Sequence, residues 1–368
     1  MIEPHVVHVD ADGGEYDVVI GPGLLSEAGE RVRVVAQAKR IALVSDSNVS
    51  ELFGAKLGAK FISAGYEVFP LTFEAGEASK NWAVAGELLE ALAESRLDRS
   101  DVVVALGGGV VGDLVGFVAS AYLRGVRFVQ IPTTLLAQVD SSIGGKTGVD
   151  LRAGKNLAGA FKQPSIVLAD TDTLASLPDA EWRSGLAEIA KSAVIDSEEF
   201  LFWTEVNAAR LLAREPATVA EAVARCVAFK SRIVCSDERE EGVRECLNYG
   251  HTLGHAIENV AGYGVVPHGL AVAEGMRFAV RVAVEVAGAT REFVRRQDAL
   301  LDALGLTALT DSWAPFDLLS AMQSDKKVRA GDVRLVLVDA PGSWRCTQVG
   351  DSVLQEHLVA WAESKGGD

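Results

Sequence analysis

Three of the six histidines in this chain lie close together, at His251, His255 and His268. His251 and His255 are four residues apart, so their imidazoles share one face if the segment is helical. His268 follows a short glycine-bearing loop and can fold back onto that face. Because neutral imidazole is a common zinc ligand, this spacing predicts a metal site. A histidine pair at this spacing also occurs on ordinary amphipathic helices, and the HExxH context is absent.

A second pair of chemical interest is Glu188 and Lys191, three residues apart. On a surface helix such an ion pair contributes less than about 1 kcal/mol. Here the flanking residues are leucine, alanine and isoleucine, which predicts that this helix face is buried. A buried carboxylate needs a partner, and a metal ion is one such partner.

Glycines cluster at Gly107–Asp113, after the apolar strand predicted at Asp101–Leu106 and before a helix predicted at Leu114–Tyr122. Glycines permit positive φ and close approach of backbone N–H groups to a pyrophosphate, which the following helix N-terminus also attracts. The pattern is not GxGxxG, so an ordinary tight strand-to-helix turn remains an alternative. Upstream, Asp46 ends another predicted strand and could bind a ribose hydroxyl.

Hydroxyl and amine groups are dense in the next stretch. Thr133 and Thr134 follow a strand that ends at Pro132, and Asp140 precedes a conformationally loose Gly144-Gly145-Lys146 loop. A second glycine-lysine pair, with Lys155, comes shortly after it. Lysines on glycine-rich loops suit phosphate, so we predict an anion site here.

The pattern of elements predicts an α/β + α protein, with a Rossmann-like, mostly parallel sheet domain at 1–177 and an all-α domain at 178–368. The predicted strands are Tyr16–Ile20, Arg40–Ser45, Glu67–Leu71, Val102–Leu106, Phe128–Pro132 and Ser165–Ala169. The predicted helices are Trp82–Glu94, Glu181–Ile195, Ser197–Leu212, Thr218–Cys235, Asn248–Ala261, Gly269–Ala287, Arg291–Leu304, Phe316–Met322 and Val353–Ser364. A short β-like pair, Val333–Val338 and Trp344–Val349, interrupts this helical half.

Composition limits the possible binding partners and the cellular compartment of the protein. The 368 residues are 49% hydrophobic and carry a net charge of −16, which argues against nucleic acid or anionic membrane as a partner. Four cysteines without CxxC spacing predict buried thiols in a reducing compartment. No signal peptide or membrane-spanning run is recognisable, so we expect a cytoplasmic protein.

Six blocks occur together in one order, and jointly they resemble the 3-dehydroquinate synthase family of sugar-phosphate cyclases in the shikimate pathway. The blocks are Gly107–Asp113, Arg124–Lys146, Gly154–Gln163, Leu186–Lys191, Asn248–Glu258 and Asp325–Lys327. The resemblance implies an NAD-binding Rossmann-like domain, an α-helical domain, and an active site in the cleft between them. It also implies a homodimer, because Arg124 resembles an arginine that reaches the partner subunit's pocket.

The resemblance assigns roles to individual residues. It implies zinc, or cobalt, bound by Glu188, His251 and His268, with His255 facing the substrate instead of the metal. NAD contacts would fall on Asp46, Ser47, Asn48, Glu77, Ala78, Ser79, Lys80, Gly108, Gly109, Val110, Asp113, Thr133, Thr134, Lys146, Lys155, Thr173 and Ser176. Catalytic and substrate-pocket positions would be Arg124, Asp140, Lys146, Asn156, Lys191, Lys230, Arg244, Asn248, His255 and Lys326.

The implied reaction converts 3-deoxy-D-arabino-heptulosonate 7-phosphate to 3-dehydroquinate and phosphate, with NAD oxidised and regenerated within each turnover. Sibling cyclases, which make amino-dehydroquinate, 2-deoxy-scyllo-inosose or 2-epi-5-epi-valiolone, are the nearest alternatives. Arg244, Asn248 and Lys326 favour a substrate with a carboxylate. Metal-dependent alcohol or glycerol dehydrogenases, which release NADH, and a catalytically inactive regulatory protein are more distant alternatives.

Overall fold

The computed structural model describes residues 3–262, 264–324 and 333–365. Lys326, expected in the substrate pocket, and the whole Asp325–Lys327 block therefore lie outside the described residues. By its contacts the chain divides into two compact units. The sheet unit comprises Met1–Leu177 and Val219–Glu238, and the helical unit comprises Pro178–Thr218 and Arg239–Asp368.

The sheet unit is organised around a seven-stranded sheet in the order β1-β2-β9-β6-β5-β3-β4. Only the β1–β2 pair is antiparallel among these neighbours. A separate hairpin is formed by β7 and β8. The strands are β1 His5–Ala11, β2 Gly14–Gly21, β3 Arg40–Asp46, β4 Glu67–Phe73, β5 Val102–Gly107, β6 Arg127–Pro132, β7 Lys146–Leu151, β8 Gly154–Phe161 and β9 Ile166–Asp170.

The sheet forms where apolar residues run continuously. Strands β5 and β9 are buried at every position, as expected for parallel strands covered on both faces. All six strands predicted from such runs are present, so the mostly parallel sheet is confirmed. The chain passes from β3 to the edge strand β4 and then returns to β5 on the other side of β3. The carboxyl ends of β3 and β5 therefore flank a topological switch point, where open α/β sheets bind ligands.

Five helices and one helical segment accompany these strands in the sheet unit. The helices are α1 Ala28–Val35, α2 Ser47–Val49, α3 Ala55–Ser63, α4 Trp82–Glu94 and α5 Gly109–Ala121, and the segment belongs to α8 Pro216–Ser236. Helix α4 has the bounds predicted from its periodicity. Helix α5 was predicted to begin at Leu114 but begins at Gly109. Glycine is a poor helix former, yet packing explains a glycine in this first turn, since a Cβ on Gly112 would lie 2.9 Å from Gln130 Oε1.

Gly144 and Gly145 lie in a loop with positive φ, as their residue type suggested, but the loop ends there and Lys146 begins β7. Strands β7 and β8 form an antiparallel hairpin. Two glycines permit the close approach of these strands, because a Cβ on Gly148 would lie 2.7 Å from the Ala158 carbonyl oxygen. A Cβ on Gly159 would lie 2.3 Å from the Thr147 oxygen. Glycine here serves packing and not flexibility, which the sequence pattern alone does not distinguish.

The predicted two-segment organisation is wrong for Val219–Glu238, which belongs to the sheet unit and not to the second domain. Ser231 Oγ donates a hydrogen bond to the His8 carbonyl at 3.2 Å. The Glu238 carboxylate accepts hydrogen bonds from Gly13 N–H at 2.9 Å and from Gln163 Nε2 at 2.6 Å. Periodicity identifies the buried face of a helix but not the element that covers it.

The helical unit consists mainly of helices with a single hairpin of β10 Arg334–Ala340 and β11 Ser343–Gln348 among its described residues. This hairpin matches the β-like pair predicted from the sequence. Besides the first residues of α8, the helices are α6 Asp179–Asp196, α7 Glu198–Leu212, α9 His251–Ala261, α10 His268–Val286, α11 Arg291–Ala303, α12 Pro315–Ser324 and α13 Asp351–Glu363. Each was predicted within a few residues of its observed bounds.

The four cysteines carry free thiols. Cys226 and Cys246 are buried as expected, whereas Cys235 is exposed and Cys346 is half-buried. The expectation of uniformly buried thiols is therefore wrong for Cys235, which lies on the outer side of α8. Among the described helices, none combines the length and the apolar character that crossing a membrane requires.

Candidate active site

Three side chains of the helical unit meet around one point. Glu188 projects from α6, His251 is the first residue of α9, and His268 is the first residue of α10. His251 Nε2 lies 3.6 Å and His268 Nε2 lies 3.8 Å from the same oxygen, Glu188 Oε1. One potential ligand atom from each residue lies within 4.8 Å of the others.

The donor set fits a divalent metal ion. Two ligands about 2.1 Å from one ion, at tetrahedral angles, lie about 3.4 Å apart, close to the measured separations. Glu188 is 1% exposed. Its Oε2 forms an ion pair with Lys191 Nζ, yet neither carboxylate oxygen accepts a hydrogen bond of good geometry from the described residues. A buried carboxylate left in this state is costly unless a cation completes its coordination.

Each histidine of this group has a partner for its other ring nitrogen. His251 Nδ1 lies 3.1 Å from the Tyr249 carbonyl oxygen, and His268 Nδ1 lies 3.2 Å from Glu258 Oε2. These contacts place a proton on Nδ1 and leave Nε2 as the lone-pair atom that faces Glu188. Metal-binding histidines commonly have this arrangement.

Electrostatics at His268 favour a cation. Burial alone would lower the pKa of His268, but the hydrogen bond to Glu258 and the charges of Glu258 and Glu188 outweigh it, so the pKa is raised. The negative potential of the two carboxylates thus exceeds the desolvation penalty for positive charge at this point.

His255 lies beside the group without belonging to it. Its ring centroid is 5.3 Å from that of His251 and 6.2 Å from that of His268. The group of potential ligand atoms comprises Glu188 and the other two histidines. Spacing alone suggested a cradle of three histidines, whereas the group found among the described residues has Glu188, from a distant helix, in place of His255.

Close packing of two helices positions His251. Gly250, with φ +78°, caps the N-terminus of α9. A Cβ on Gly275 of α10 would lie 1.8 Å from the Gly250 carbonyl oxygen, so the two backbones are in direct contact. The ring of Tyr249 is buried, and its hydroxyl donates to Gln297 Oε1 at 2.7 Å. The turn that presents His251 is thus held from both sides.

In the sheet unit, the glycine-rich turn lies at the switch point of the sheet. Gly108 caps α5 with extended backbone angles. A Cβ on Gly108 would lie 2.9 Å from Thr134 Cγ2, so the absence of a side chain permits this approach. Thr133 N–H donates to the Gly107 carbonyl at 3.0 Å, which joins the ends of β5 and β6. The N-terminal N–H groups of α5 suit a phosphate group.

Unsatisfied hydroxyls mark the same end of the sheet. Thr133 Oγ1 and Ser142 Oγ are buried and have no hydrogen-bond partner among the described residues. Gln138 Nε2 donates to the carbonyls of Pro132 and Asp170, at 3.0 Å each. Buried hydroxyls without partners are uncommon in proteins, and a polar ligand is one explanation.

Three predicted residues form one cluster on this unit, in which Lys80 is buried, Asp113 is half-buried and Asn156 is exposed. Lys80 Nζ donates to Asp113 Oδ2 and to Asn156 Oδ1, at 2.6 Å each. Burial would lower the pKa of Lys80, but Asp113, Glu77 and Asp150 more than offset it, and the pKa is raised. Lys80 therefore remains protonated and holds Asp113 and Asn156 in place.

A second pair joins two predicted substrate residues. Lys230 Nζ of α8 donates to Asp140 Oδ1 at 2.7 Å and to the Asp140 carbonyl at 2.8 Å. A third pair, Lys155 and Glu77, is looser at 3.6 Å. The structure thus brings together, within the sheet unit, cations and carboxylates that lie far apart in the sequence.

The other predicted residues of the sheet unit lie outside these three clusters. Asp46 ends β3, and its Oδ1 accepts a hydrogen bond from Val49 N–H at 2.9 Å. Ser47 Oγ accepts one from Ala75 N–H at 3.1 Å. Ser79 and Thr173 are buried, whereas the remaining predicted positions are partly or fully exposed, namely Asn48, Ala78, Gly109, Val110, Lys146 and Ser176. Arg124 is exposed in a turn in which Leu123, Arg124 and Gly125 all have positive φ.

In the helical unit, Arg244 is 2% exposed, among the largest fully buried side chains. Asn248 Nδ2 donates to Glu240 Oε1 at 2.9 Å. Sequence reasoning missed both Glu240 and Glu258. A signal existed for Glu258, since it follows His251 by seven residues and therefore shares its helix face. No comparable signal existed for Glu240, which lies in a charge-rich loop.

Comparison with known proteins decides the family. The N-terminal model of 3-dehydroquinate synthase matches residues 70–184, and the C-terminal model matches residues 185–328. The chain belongs to the 3-dehydroquinate synthase family. The 3-dehydroquinate synthase of Paracoccus denitrificans (strain Pd 1222) is 44% identical over 363 residues, covering 96% of this chain and 98% of that protein.

Solved structures agree with this family and its fold. A 2-deoxy-scyllo-inosose synthase, complexed with carbaglucose-6-phosphate, NAD+ and Co2+, has a TM-score of 0.88 at 25% identity and covers 96% of this chain and 99% of its own. A 2-epi-5-epi-valiolone synthase from Streptomyces hygroscopicus subsp. jinggangensis 5008, with NAD+ and Zn2+ bound, has a TM-score of 0.86 at 29% identity, with coverage of 95% and 97%. The resemblance inferred from the sequence blocks and the predicted fold class are both confirmed.

Proposed function

We propose that this protein converts 3-deoxy-D-arabino-heptulosonate 7-phosphate to 3-dehydroquinate and phosphate, using NAD and a divalent metal ion, zinc or cobalt. The observation that carries the proposal is the 44% identity to a 3-dehydroquinate synthase across 96% of the chain. The Glu188, His251 and His268 group supports the metal requirement because its geometry fits such an ion.

The bound groups supply chemistry that side chains lack. A metal ion polarises substrate hydroxyls, and NAD accepts and returns a hydride. Glu188, His251 and His268 would hold the ion, and the α5 N-terminus with Thr133 would hold NAD.

The chain's own cations would bind and orient an anionic substrate. The protein carries a net charge of −16, so a substrate with a carboxylate and a phosphate requires locally concentrated positive charge. We assign this task to Lys146, Lys191, Lys230 and Arg244. Asp140 holds Lys230 in one position, and Glu240 orients Asn248, so these groups are prepared before substrate arrives.

Sibling cyclases remain the competing assignment, because the two solved relatives described above make other cyclic products. Their identity to this chain is 25% and 29%, compared with 44% for the 3-dehydroquinate synthase. The buried guanidinium of Arg244 suits a substrate with a carboxylate, because arginine binds carboxylates through paired, charge-assisted hydrogen bonds.

The test is phosphate release by purified protein supplied with NAD, zinc and 3-deoxy-D-arabino-heptulosonate 7-phosphate, while absorbance reports net NADH. We expect phosphate and 3-dehydroquinate without accumulation of NADH, and loss of both with a chelator. Glucose 6-phosphate, which lacks the carboxylate, should be inactive. If it were the better substrate, a sibling cyclase would replace this proposal, and stoichiometric NADH would indicate a dehydrogenase.

We further propose a cytoplasmic homodimer. Free cysteine thiols are consistent with a reducing compartment. Next to exposed Arg124 in the chain, the apolar side chain of Leu123 is 40% exposed, which suits contact with a second copy. Light scattering should therefore give twice the 38.9 kDa mass of one chain, and a monomer at micromolar concentration would contradict the proposal.

Substitution of Thr133 tests the NAD site, because it should affect the stability of the NAD-free protein and the affinity for NAD in opposite directions. Its hydroxyl is buried without a partner among the described residues, so Thr133→Val should leave the NAD-free protein as stable or slightly more stable. If the hydroxyl binds NAD, the same variant should bind NAD about 3–10 times more weakly, the equivalent of one hydrogen bond. Calorimetric titration with NAD and thermal unfolding without it measure both effects. Unchanged NAD affinity would remove Thr133 from the site.

A further inference from the structure

Glu258 lies behind the proposed metal centre and has no role in the assignments above. It is 7% exposed on α9, and its Oε2 is 3.2 Å from His268 Nδ1. Burial of a carboxylate costs free energy unless it is paired or hydrogen-bonded. A neutral residue would fill the same space without that cost, so the charge requires an explanation.

The two histidines of the group differ in the partner of Nδ1. His251 faces a backbone carbonyl, that of Tyr249, and a carbonyl has no net charge. His268 faces the carboxylate of Glu258. A carboxylate is the stronger acceptor, and it makes the opposite ring nitrogen more basic and a better electron-pair donor.

His268 also needs this contact for orientation. Its side chain is 32% exposed, whereas that of His251 is 12% exposed, so surrounding atoms restrict the ring of His268 less. Glu258 lies on α9 and His268 on α10. The hydrogen bond therefore joins the two helices that carry the histidines and fixes the angle of the less confined ring.

We propose that Glu258 is a positioning residue of the metal centre, which holds His268 with Nε2 directed at the ion and strengthens that nitrogen as a ligand. The inference rests on the proposed function only in requiring a metal at Glu188, His251 and His268. Loss of the contact should weaken metal binding without removing a ligand.

The experiment measures zinc and cobalt affinity of the full-length protein by competition with a chelator. Glu258→Ala, which removes the acceptor, should weaken affinity by about 10–100-fold, the usual effect of losing such a partner. Glu258→Gln retains the shape and an acceptor oxygen but not the charge, so its affinity should fall between those of Glu258→Ala and the wild type. The visible spectrum of the cobalt-loaded protein should shift in both variants, since it reports on ligand geometry.

Glu285 provides the matched control. It pairs with His357 through Oε2 and Nε2 at 3.1 Å, and it lies near the C-terminal end of α10, about 25 Å along the helix from His268 at 1.5 Å per residue. Glu285→Gln also removes a carboxylate from a histidine partner, but it should leave metal affinity and the cobalt spectrum unchanged.

The outcomes separate this proposal from the assigned reaction. Wild-type affinity and spectrum in Glu258→Gln and Glu258→Ala would overturn the positioning role while the reaction stands. The predicted order of affinities, in a protein that releases no phosphate from 3-deoxy-D-arabino-heptulosonate 7-phosphate, would support Glu258 and overturn the assigned reaction. If Glu258 only filled space, its variants would unfold at a lower midpoint but bind metal with unchanged affinity. This result would also overturn the proposal.

Discussion

Glu188→Gln is expected to abolish the stabilisation of the protein by zinc and to lower turnover by at least about a thousandfold, the equivalent of roughly 4 kcal/mol. Glu188 is the only carboxylate in the described metal group. Glutamine keeps its shape but lacks the charge that attracts the ion. In the wild type, zinc at a thousand times its dissociation constant should stabilise the folded state by about 4 kcal/mol.

The single variant also leaves Lys191 without its ion-pair partner, and Lys191 is 1% exposed. Breaking a buried pair from one side typically costs about 3–5 kcal/mol, whereas replacing both charges with neutral groups is often neutral or stabilising. Metal-free Glu188→Gln should therefore unfold at a lower temperature than the wild type. Glu188→Gln with Lys191→Met should recover that stability and still show no response to zinc.

Thermal unfolding of the wild type and both variants, with and without zinc, measures these expectations. Glu285→Gln serves again as a carboxylate-removing control with an intact zinc response. A zinc-dependent rise in midpoint for Glu188→Gln comparable to that of the wild type would exclude Glu188 as a ligand. It would also leave unexplained why neither oxygen of this buried carboxylate accepts a hydrogen bond from the described residues.

The sequence predicted the sheet and the helices because the pattern of apolar residues along the chain indicates which positions are buried. Strand β5 is apolar throughout and buried throughout, and helix α4 has a clear helical period between polar ends. Predictions failed where glycine was interpreted without its surroundings. Gly148 and Gly159 allow two strands to pack together, and Gly112 makes room for Gln130 within α5, but such glycines usually indicate loops or turns.

The metal group shows a different limit of sequence reasoning. Spacing placed His251 and His255 on one face, and their ring centroids are 5.3 Å apart. Spacing also suggested both as ligands, whereas the group of potential ligand atoms contains Glu188 in place of His255. Glu188 precedes His251 by more than sixty residues, and only the packing of α6 against α10 in the folded chain brings it to the histidines. The resemblance to a known family pointed to Glu188 as a ligand, which the spacing of residues in this sequence could not do.

The partners of predicted residues were harder to predict than the residues themselves. Lys80 was expected at a nucleotide, and its contacts with Asp113 and Asn156 became apparent only in the folded chain. Lys230 and Asp140 likewise meet across ninety positions of sequence. A buried charged residue requires an oppositely charged partner, but the sequence does not show which of the many candidate residues that partner is.

The packing of α9 on α10 leads to the second large expected effect, in Gly275→Ala. A Cβ at this position would lie 1.8 Å from the Gly250 carbonyl oxygen, 2.8 Å from the Gly250 carbonyl carbon and 3.0 Å from Gly254 N. All three are backbone atoms, so no side-chain rotation can relieve the contact. The helices must separate, and we expect a loss of about 3 kcal/mol or more, the upper range for overpacking in a core. This loss should outweigh the gain of about 1 kcal/mol that alanine brings to a helix interior.

The same displacement should reach the metal centre, because Gly250 immediately precedes His251. Gly275→Ala should therefore weaken zinc binding as well as stability, although it alters no ligand. Gly350→Ala in the same unit is the control, since its Cβ would meet nothing within 4 Å. It should cost less than about 1 kcal/mol, because Gly350 is the N-cap of α13 and alanine is a poorer N-cap than glycine.

Tryptophan fluorescence can follow this unfolding selectively. Of the six tryptophans, Trp82 alone lies in the sheet unit, and the others lie in the helical unit that contains Gly275. Denaturant unfolding of Gly275→Ala and Gly350→Ala by this signal should give clearly separated midpoints. Coincident midpoints would mean that α9 and α10 can move apart at little cost, and the close helix contact could then not be what holds His251 in place.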